Sequence, residues 1–174
     1  MAIIVNFMGG PGCAKSTMAA HVFAELKWKS VNCELVTEYA KDRVWDESFF
    51  VLENQIYVFG KQHHRIYRAS KHVDVILTDS PIVLSIIYNK NFSEKLNELV
   101  LEEFNKYDNI NYFLTRKKPY NPVGRTQNLE EAIKKDSEVY NMIEEYKIDA
   151  KRIDGERSSV ALVVEDVMSR LKNI

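Results

Sequence analysis

The chain has 174 residues, which suits one domain with its own core, and its 45% hydrophobic and 28% charged residues are typical of a globular protein. Its formal net charge of −1 excludes a surface that is basic overall, so affinity for nucleic acid would require a local patch. It has two cysteines, no signal-peptide pattern and no apolar run near the roughly 18 residues of a membrane span, so we expect a cytoplasmic protein that does not bind membranes.

Short apolar segments alternate with longer amphipathic segments along the whole chain. We predict five strands, at 2–8, 32–37, 73–79, 110–115 and 148–154. Helical periodicity fills the intervals between them, with an interruption expected near Gly60, and Asn128 with Glu131 forms the pattern of a capping box. This alternation predicts an α/β fold in a single domain, residues 1–174, with a five-stranded parallel sheet and helices on both faces.

The sequence MGGPGCAKST, residues 8–17, lies between the first predicted strand and the first predicted helix. It resembles the phosphate-binding loop G-x-x-x-x-G-K-[ST], except that Ala14 stands where the pattern has its second glycine. We expect backbone N–H groups of this loop and the start of the helix to bind nucleotide phosphates. The predicted cofactor-binding residues are Gly10, Pro11, Gly12, Cys13, Ala14, Lys15, Ser16 and Thr17.

Two side chains of the loop have specific expected roles. Lys15 is expected to reach the β- and γ-phosphates, and the hydroxyl of Ser16 is expected to coordinate Mg²⁺. Alanine at position 14 is compatible with these roles if its backbone adopts right-handed helical angles, because only a positive φ requires glycine. The alternative interpretation is a glycine-rich turn with an incidental lysine.

The carboxyl ends of the neighbouring strands should lie beside this loop, because ligands of open parallel sheets bind there. Asp79, which ends the third strand, is a candidate Mg²⁺ ligand or, alternatively, a helix-capping residue. Glu38, which ends the second strand, is a candidate general base for an acceptor hydroxyl or, alternatively, a solvated glutamate. Arg43 and Trp45 follow Glu38 and are candidates for binding a substrate phosphate and for stacking on a base.

The segment TRKKPYNPVGRT, residues 115–126, contains four cationic and no acidic side chains. We predict a lid at about 116–128, in which Arg116 and Arg125 stabilise charge on a transferred phosphoryl group, because a guanidinium binds two phosphate oxygens at once. Gln55 and Gln62, which precede the third strand, are candidates for reading a base edge. A GTPase is not expected, since the string NKNF at 89–92 lacks the aspartate of N-K-x-D.

Several strings resemble known P-loop kinases. GGPGCAKST, TEYAKD and LTDSP are similar to the AAA_28 or ribosylnicotinamide-kinase-like branch of nucleoside and nucleotide kinases, and NYFLTRKKPYNPVGRTQNLEEA is similar to the lid of phage-encoded members. The resemblance implies a P-loop NTPase fold of the nucleotide-kinase type, ATP and Mg²⁺. It also implies phosphoryl transfer to a nucleoside, a nucleotide or, as in 5-hydroxymethyluracil DNA kinases, a hydroxymethylated base in DNA. It implies phage origin, with the protein then in the host cytoplasm.

Two functions stay open at this point. A kinase would use Lys15, Glu38, Asp79, Arg116 and Arg125 in catalysis, Ser16 and Asp79 for the metal, and Glu38, Arg43, Trp45 and Gln55 for the substrate. A non-kinase module would bind ATP for regulation and hydrolyse it slowly or not at all. The sequence does not decide between a free nucleoside, a nucleotide and DNA as the acceptor, and it leaves the oligomeric state open, with a homodimer as one option.

Overall fold

The computed structural model describes residues 2–90, 93–123 and 127–173. Within these ranges the strands form one all-parallel sheet in the order β2-β3-β1-β4-β5. The strands are Ile3–Met8 (β1), Cys33–Val36 (β2), Val75–Thr78 (β3), Asp108–Thr115 (β4) and Ala150–Asp154 (β5). Every predicted strand overlaps an observed one, so the α/β fold with its parallel sheet is confirmed.

Helices fill the intervals between the strands. They are Lys15–Trp28 (α1), Tyr39–Trp45 (α2), Phe49–Leu52 (α3), Gln55–Ala69 (α4), Ser85–Tyr88 (α5), Glu94–Asn105 (α6), Leu129–Glu145 (α7) and Val160–Leu171 (α8). The capping box at the start of α7 is confirmed, since Glu131 N donates to Asn128 Oδ1 at 2.9 Å and Asn128 N donates to Glu131 Oε2 at 2.8 Å. No helix within the described ranges is long and apolar enough to cross a membrane.

The predicted interruption near Gly60 is wrong. Helix α4 continues through Gly60, and the helical region is instead broken earlier, between α2, α3 and α4. A Cβ at Gly60 would meet no described atom within 4 Å. Glycine inside a helix costs about 1 kcal/mol relative to alanine, and the burial of Phe59 and Ile66 on the same helix outweighs that cost.

The sheet has a hydrophobic core on each face, which explains why β1 is buried at every position. On one face, Ile3, Val5 and Phe7 pack against α1 and α8. On the other face, Ile4 and Met8 pack against α4, α6 and α7. Because helices cover both faces, ligands can reach the sheet only at its edges and ends. The predicted site residues lie in the segments that follow the carboxyl ends of β1, β2, β3 and β4.

A buried row of asparagines joins β1 to β4 on the second face. The side-chain amide of Asn6, only 1% exposed, donates to Asn109 Oδ1 at 2.8 Å and to Asn111 Oδ1 at 2.9 Å. Asn111 in turn donates to the backbone carbonyl of Asp149 at 3.0 Å. Buried amides are tolerated only when their partners are present, so these bonds compensate for placing polar side chains in the sheet.

Candidate active site

A cavity of about 540 Å³ opens at the carboxyl ends of β1, β2 and β3. The phosphate loop after β1 forms one wall, Glu38 after β2 and Asp79 after β3 form the floor, and helices α2, α4, α5 and α7 close the sides. The predicted site residues that line it are Gly10, Pro11, Gly12, Ala14, Lys15, Ser16, Thr17, Glu38, Gln55 and Asp79. Cys13 is buried beneath the loop, with only 1% of its surface exposed.

The backbone at Ala14 corrects one expectation. Ala14 lies at φ 77° and ψ 14°, in the left-handed region, and not at right-handed helical angles. Gly12, two residues earlier, has a similar φ of 78°. The loop therefore keeps the backbone shape that normally requires glycine, at a cost for alanine of about 1–2 kcal/mol. The methyl group of Ala14 lies close to Gly155, since a Cβ built at Gly155 would be 3.5 Å from Ala14 Cβ.

Replacing Ala14 with glycine is expected to raise the free energy of unfolding by about 0.5–1 kcal/mol, because relief of about 1–2 kcal/mol of strain exceeds the added entropy of the unfolded chain. Urea denaturation monitored by circular dichroism would measure it. The matched control is Ala20→Gly, at an exposed position inside α1, where the same change should destabilise by about 0.5–1 kcal/mol. Equal losses in both variants would contradict the strain at position 14.

The side chain of Lys15 folds back over the loop. Its ammonium donates to the backbone carbonyls of Gly9 at 2.8 Å and of Gly10 at 2.9 Å. Two of its three donors are therefore held at the mouth of the cavity. A phosphate bound by the loop would meet this ammonium directly and exchange these neutral acceptors for a charged one, which forms stronger hydrogen bonds.

Asp79 follows β3 and is only 6% exposed, and its Oδ1 is buried without a hydrogen-bond partner in the part of the chain that the structure describes. Burial raises the pKa of this carboxyl above its ordinary 3.8, and the nearby ammonium groups of Lys15 and Lys41 offset only part of that rise. A carboxylate oxygen without a partner in the described residues, in a cavity that Ser16 also lines, fits Mg²⁺, which prefers oxygen ligands and takes few of them from the protein.

Replacing Asp79 with asparagine is expected to stabilise the nucleotide-free protein at neutral pH. A raised pKa in the folded state means that the contribution of the carboxyl to stability is complete below about pH 4 and is lost as the pH rises through the folded pKa. The melting temperature of the variant, relative to wild type, should therefore increase between about pH 4 and pH 8. Asp74→Asn, an exposed site just before the same strand, controls for the charge change alone. A difference in melting temperature between Asp79→Asn and wild type that does not vary with pH would contradict the raised pKa of Asp79.

Glu38 occupies the N-cap position of α2 and is half-buried in the cavity. Desolvation and the negative charge of Glu38 raise the pKa of Tyr88 above its usual range, although 38% of the residue is exposed. The ammonium of Lys135 lies 5.0 Å from the centre of the Tyr88 ring. Tyr88, Lys135 and Lys41 also line the cavity and were not anticipated. Tyr88 and Lys135 belong to no recognisable motif, and Lys41 lies within the string TEYAKD, in which only Glu38 was given a role.

The two glutamines of α4 reach the cavity as well. The side chain of Gln62 is 4% exposed, and its Oε1 accepts from Tyr39 N at 2.9 Å. Its Nε2 is buried and has no partner among residues 2–90, 93–123 and 127–173. The hydrogen bond to Oε1 fixes the orientation of the amide, so Nε2 is a donor held in one place. Gln55 Nε2 donates to the carbonyl of Leu52 at 2.5 Å.

The structure does not bring Arg43 and Trp45 to the cavity. Arg43 pairs with Asp46 at 2.7 Å, and Trp45 is 61% exposed on the outside of α2. The residues of α2 that line the cavity are Ala40, Lys41 and Val44. Arg43 and Trp45 are not among its lining residues.

The segment after β4 lies beside the phosphate loop. Arg116 pairs with Asp136 of α7, with Nη2 2.9 Å from Oδ2, and Asp136 Oδ1 accepts from Gly10 N at 2.7 Å. Lys118, Pro119, Asn121 and Gln127 line the cavity, which is the position expected of the predicted lid. Arg125 lies outside the described residues. Asp136 was not anticipated, since only the folded chain brings it to the loop.

Comparisons with known proteins agree with this architecture. The model of an AAA domain family, AAA_28, matches residues 4–159. No curated protein matched this chain. Among solved structures, deoxyadenosine kinase from M. mycoides with bound dATP has a TM-score of 0.57 and 15% identity, covering 97% of this chain and 99% of that chain. The same enzyme with products dCMP and a flexible dCDP has a TM-score of 0.55 and 15% identity, covering 98% and 100%. At this identity the likeness shows the fold, which is that of P-loop nucleotide kinases.

Proposed function

The chain belongs to the AAA_28 family, and from this we propose that it is a P-loop kinase that transfers the γ-phosphoryl group of ATP to a hydroxyl of a nucleoside or nucleotide. One observation carries the proposal. A single cavity of about 540 Å³ is lined by the phosphate loop and Asp79 and also by Glu38 and Gln62. A donor phosphate and an acceptor hydroxyl can thus lie side by side, which phosphoryl transfer requires.

On the donor side, the loop amides and the start of α1 bind the phosphates, and Lys15 neutralises charge on them. Ser16 and Asp79 are the residues that would hold Mg²⁺, and the ion, when bound, would neutralise charge that develops on the phosphate oxygens. The buried, unpartnered Oδ1 of Asp79 supports this assignment. Arg116, beside the loop, and Arg125 are proposed to stabilise the phosphoryl group in transit.

On the acceptor side, Glu38 accepts the proton of the attacking hydroxyl as a general base. Gln62 supports a base as part of the acceptor, since its Nε2 is a fixed donor with no partner in the described ranges. We propose that this donor binds a carbonyl oxygen or ring nitrogen of the base. Tyr88, which also lines the cavity, would offer a hydroxyl donor to the acceptor.

A transfer screen with γ-³²P-ATP tests this proposal across nucleosides, nucleoside monophosphates and duplex DNA that contains 5-hydroxymethyluracil. We expect label on a small acceptor, and label on the DNA would instead support the DNA-kinase and phage predictions. Transfer that falls steeply with added salt would also favour DNA, because several phosphates must then be neutralised. ATP binding without transfer to any acceptor would support the regulatory alternative. Light scattering on the same preparation tests whether the protein is a homodimer, the option that the sequence left open.

A further inference from the structure

We propose that Asp136 is a positioning residue that holds Arg116 against the phosphate loop, in the orientation from which Arg116 contacts the transferred phosphoryl group. The inference rests on the proposed function, since it specifies how one of the proposed catalytic side chains is placed. Neither Asp136 nor Arg116 is among the residues that line the cavity. Both lie against the phosphate loop, Asp136 at Gly10 and Arg116 at Gly12, and Asp136 acts through Arg116.

The carboxylate of Asp136 binds two parts of the site at once. Oδ2 accepts from Arg116 Nε at 3.0 Å and lies 2.9 Å from Arg116 Nη2. Oδ1 accepts from the backbone N–H of Gly10, in the phosphate loop, at 2.7 Å. The two side chains are largely buried, with 14% of Arg116 and 19% of Asp136 exposed. One carboxylate therefore fixes the guanidinium relative to the loop backbone.

The close approach of α7 to the loop reinforces this placement. A Cβ at Gly10 would lie 2.6 Å from both the carbonyl oxygen of Ala132 and Oδ1 of Asp136. Glycine at position 10 thus lets the helix backbone touch the loop. The Ala132 carbonyl also accepts from Arg116 Nη2 at 3.4 Å. Helix, arginine and loop form one packed unit, so a shift of Asp136 would move the guanidinium.

The Nη1 atom of Arg116 indicates the function of the unit formed by helix α7, Arg116 and the phosphate loop. Arg116 Nη1 is buried and has no hydrogen-bond acceptor in the described part of the chain. It lies beside Gly12, where a Cβ would come within 3.1 Å of it. Most buried donors in folded proteins have a hydrogen-bond partner. Here one donor is left over at the loop that binds phosphate, and a phosphoryl oxygen is the partner that it lacks.

The test compares Asp136→Asn with wild type. We expect kcat to fall about 10- to 100-fold, because a displaced guanidinium misses the transition state, while KM for ATP and for the acceptor changes less than about threefold. The matched control is Glu144→Gln, which makes the same acid-to-amide change at an exposed position of α7 and should leave kcat unchanged. Melting temperatures of all variants are measured in parallel.

A double-variant cycle separates positioning from an independent role. If Asp136 acts only through Arg116, adding Asp136→Asn to Arg116→Ala should lower kcat no further. A full additional loss in the double variant would overturn the proposal. So would a wild-type kcat in Asp136→Asn, or a lower melting temperature with no change in kcat.

A binding measurement tests the inference even if the wild type transfers phosphate to no acceptor. Failure of the inference about Asp136 is therefore distinguishable from failure of the proposed function. ADP with aluminium fluoride imitates the phosphoryl group in transit, and wild type should bind it more tightly than ADP alone. Asp136→Asn and Arg116→Lys, which keeps the charge but not the fork of N–H groups, should each lose this preference and keep the affinity for ADP. An equal loss of ADP affinity, or no preference in wild type, would overturn the proposal.

Discussion

Replacing Glu38 with glutamine should lower the rate of phosphoryl transfer by about 10²- to 10⁴-fold, the usual contribution of a general base. Glutamine keeps the size and the hydrogen-bonding carbonyl of the side chain but cannot accept the hydroxyl proton. The affinity for ATP should stay unchanged, because Glu38 lies on the acceptor side of the cavity and the loop binds the phosphates. Steady-state kinetics with the acceptor found in the transfer screen, and calorimetric titration with ATP, would measure the two effects.

The matched control for this change is Glu34→Gln, an exposed position on β2 four residues before Glu38. It should transfer phosphate at the wild-type rate. If Glu38→Gln also retains full transfer, Glu38 is not the base, and its place at the end of β2 has only a structural role. A loss of ATP affinity in this variant would mean that the cavity does not separate donor and acceptor as proposed.

Replacing Lys15 with alanine should weaken ATP binding strongly and nearly abolish transfer. The ammonium would form charge-assisted hydrogen bonds to phosphate, worth about 1.5–3 kcal/mol, so the affinity should fall about 10- to 100-fold. Transfer should fall by at least about 10³-fold, since the same charge is needed most as the phosphoryl group moves. Titration with ATP and the radiolabel assay measure the two losses separately.

Lys29→Ala is the control for this second change, because Lys29 is an exposed lysine just after the end of the same helix, α1. Its binding and transfer should equal those of wild type. Since Lys15 also bonds to the carbonyls of Gly9 and Gly10, the melting temperature of Lys15→Ala shows whether the loop survives the substitution. Unimpaired affinity for ATP in a folded Lys15→Ala protein would contradict the kinase proposal.

The residues at the strand ends could be located from sequence because parallel strands have a simple signal. Short apolar segments identify the strands, and Asp79 follows directly after β3 while Glu38 lies two residues after β2. The topology of a parallel sheet then brings such positions to one end, without any knowledge of distant contacts. The capping box at Asn128 was equally accessible, since it depends on a spacing of three residues.

Other features depend on contacts that no local pattern contains. Asp136 meets Arg116 and Gly10 only after α7 has packed against the loop, across 126 residues of chain in the case of Gly10. The orientation of the Gln62 amide likewise depends on the hydrogen bond that its Oε1 accepts from Tyr39 N on another helix. The positive φ of Ala14 was missed for a different reason, since intrinsic preference argues against it and the surrounding loop imposes it.

The asparagine side chains between β1 and β4 fix the register in which these two strands pair. Asn6 stands opposite Asn111 in the parallel pairing and hydrogen-bonds to it. Sliding β4 by one residue would turn these amides to the opposite side and leave them without partners in hydrocarbon. The phosphate loop follows the carboxyl end of β1, and Arg116 follows the carboxyl end of β4. The free-energy cost of mispairing therefore fixes the positions of these two strand ends relative to each other. Polar side chains remote from the cavity thus determine where the phosphate loop and Arg116 lie relative to each other.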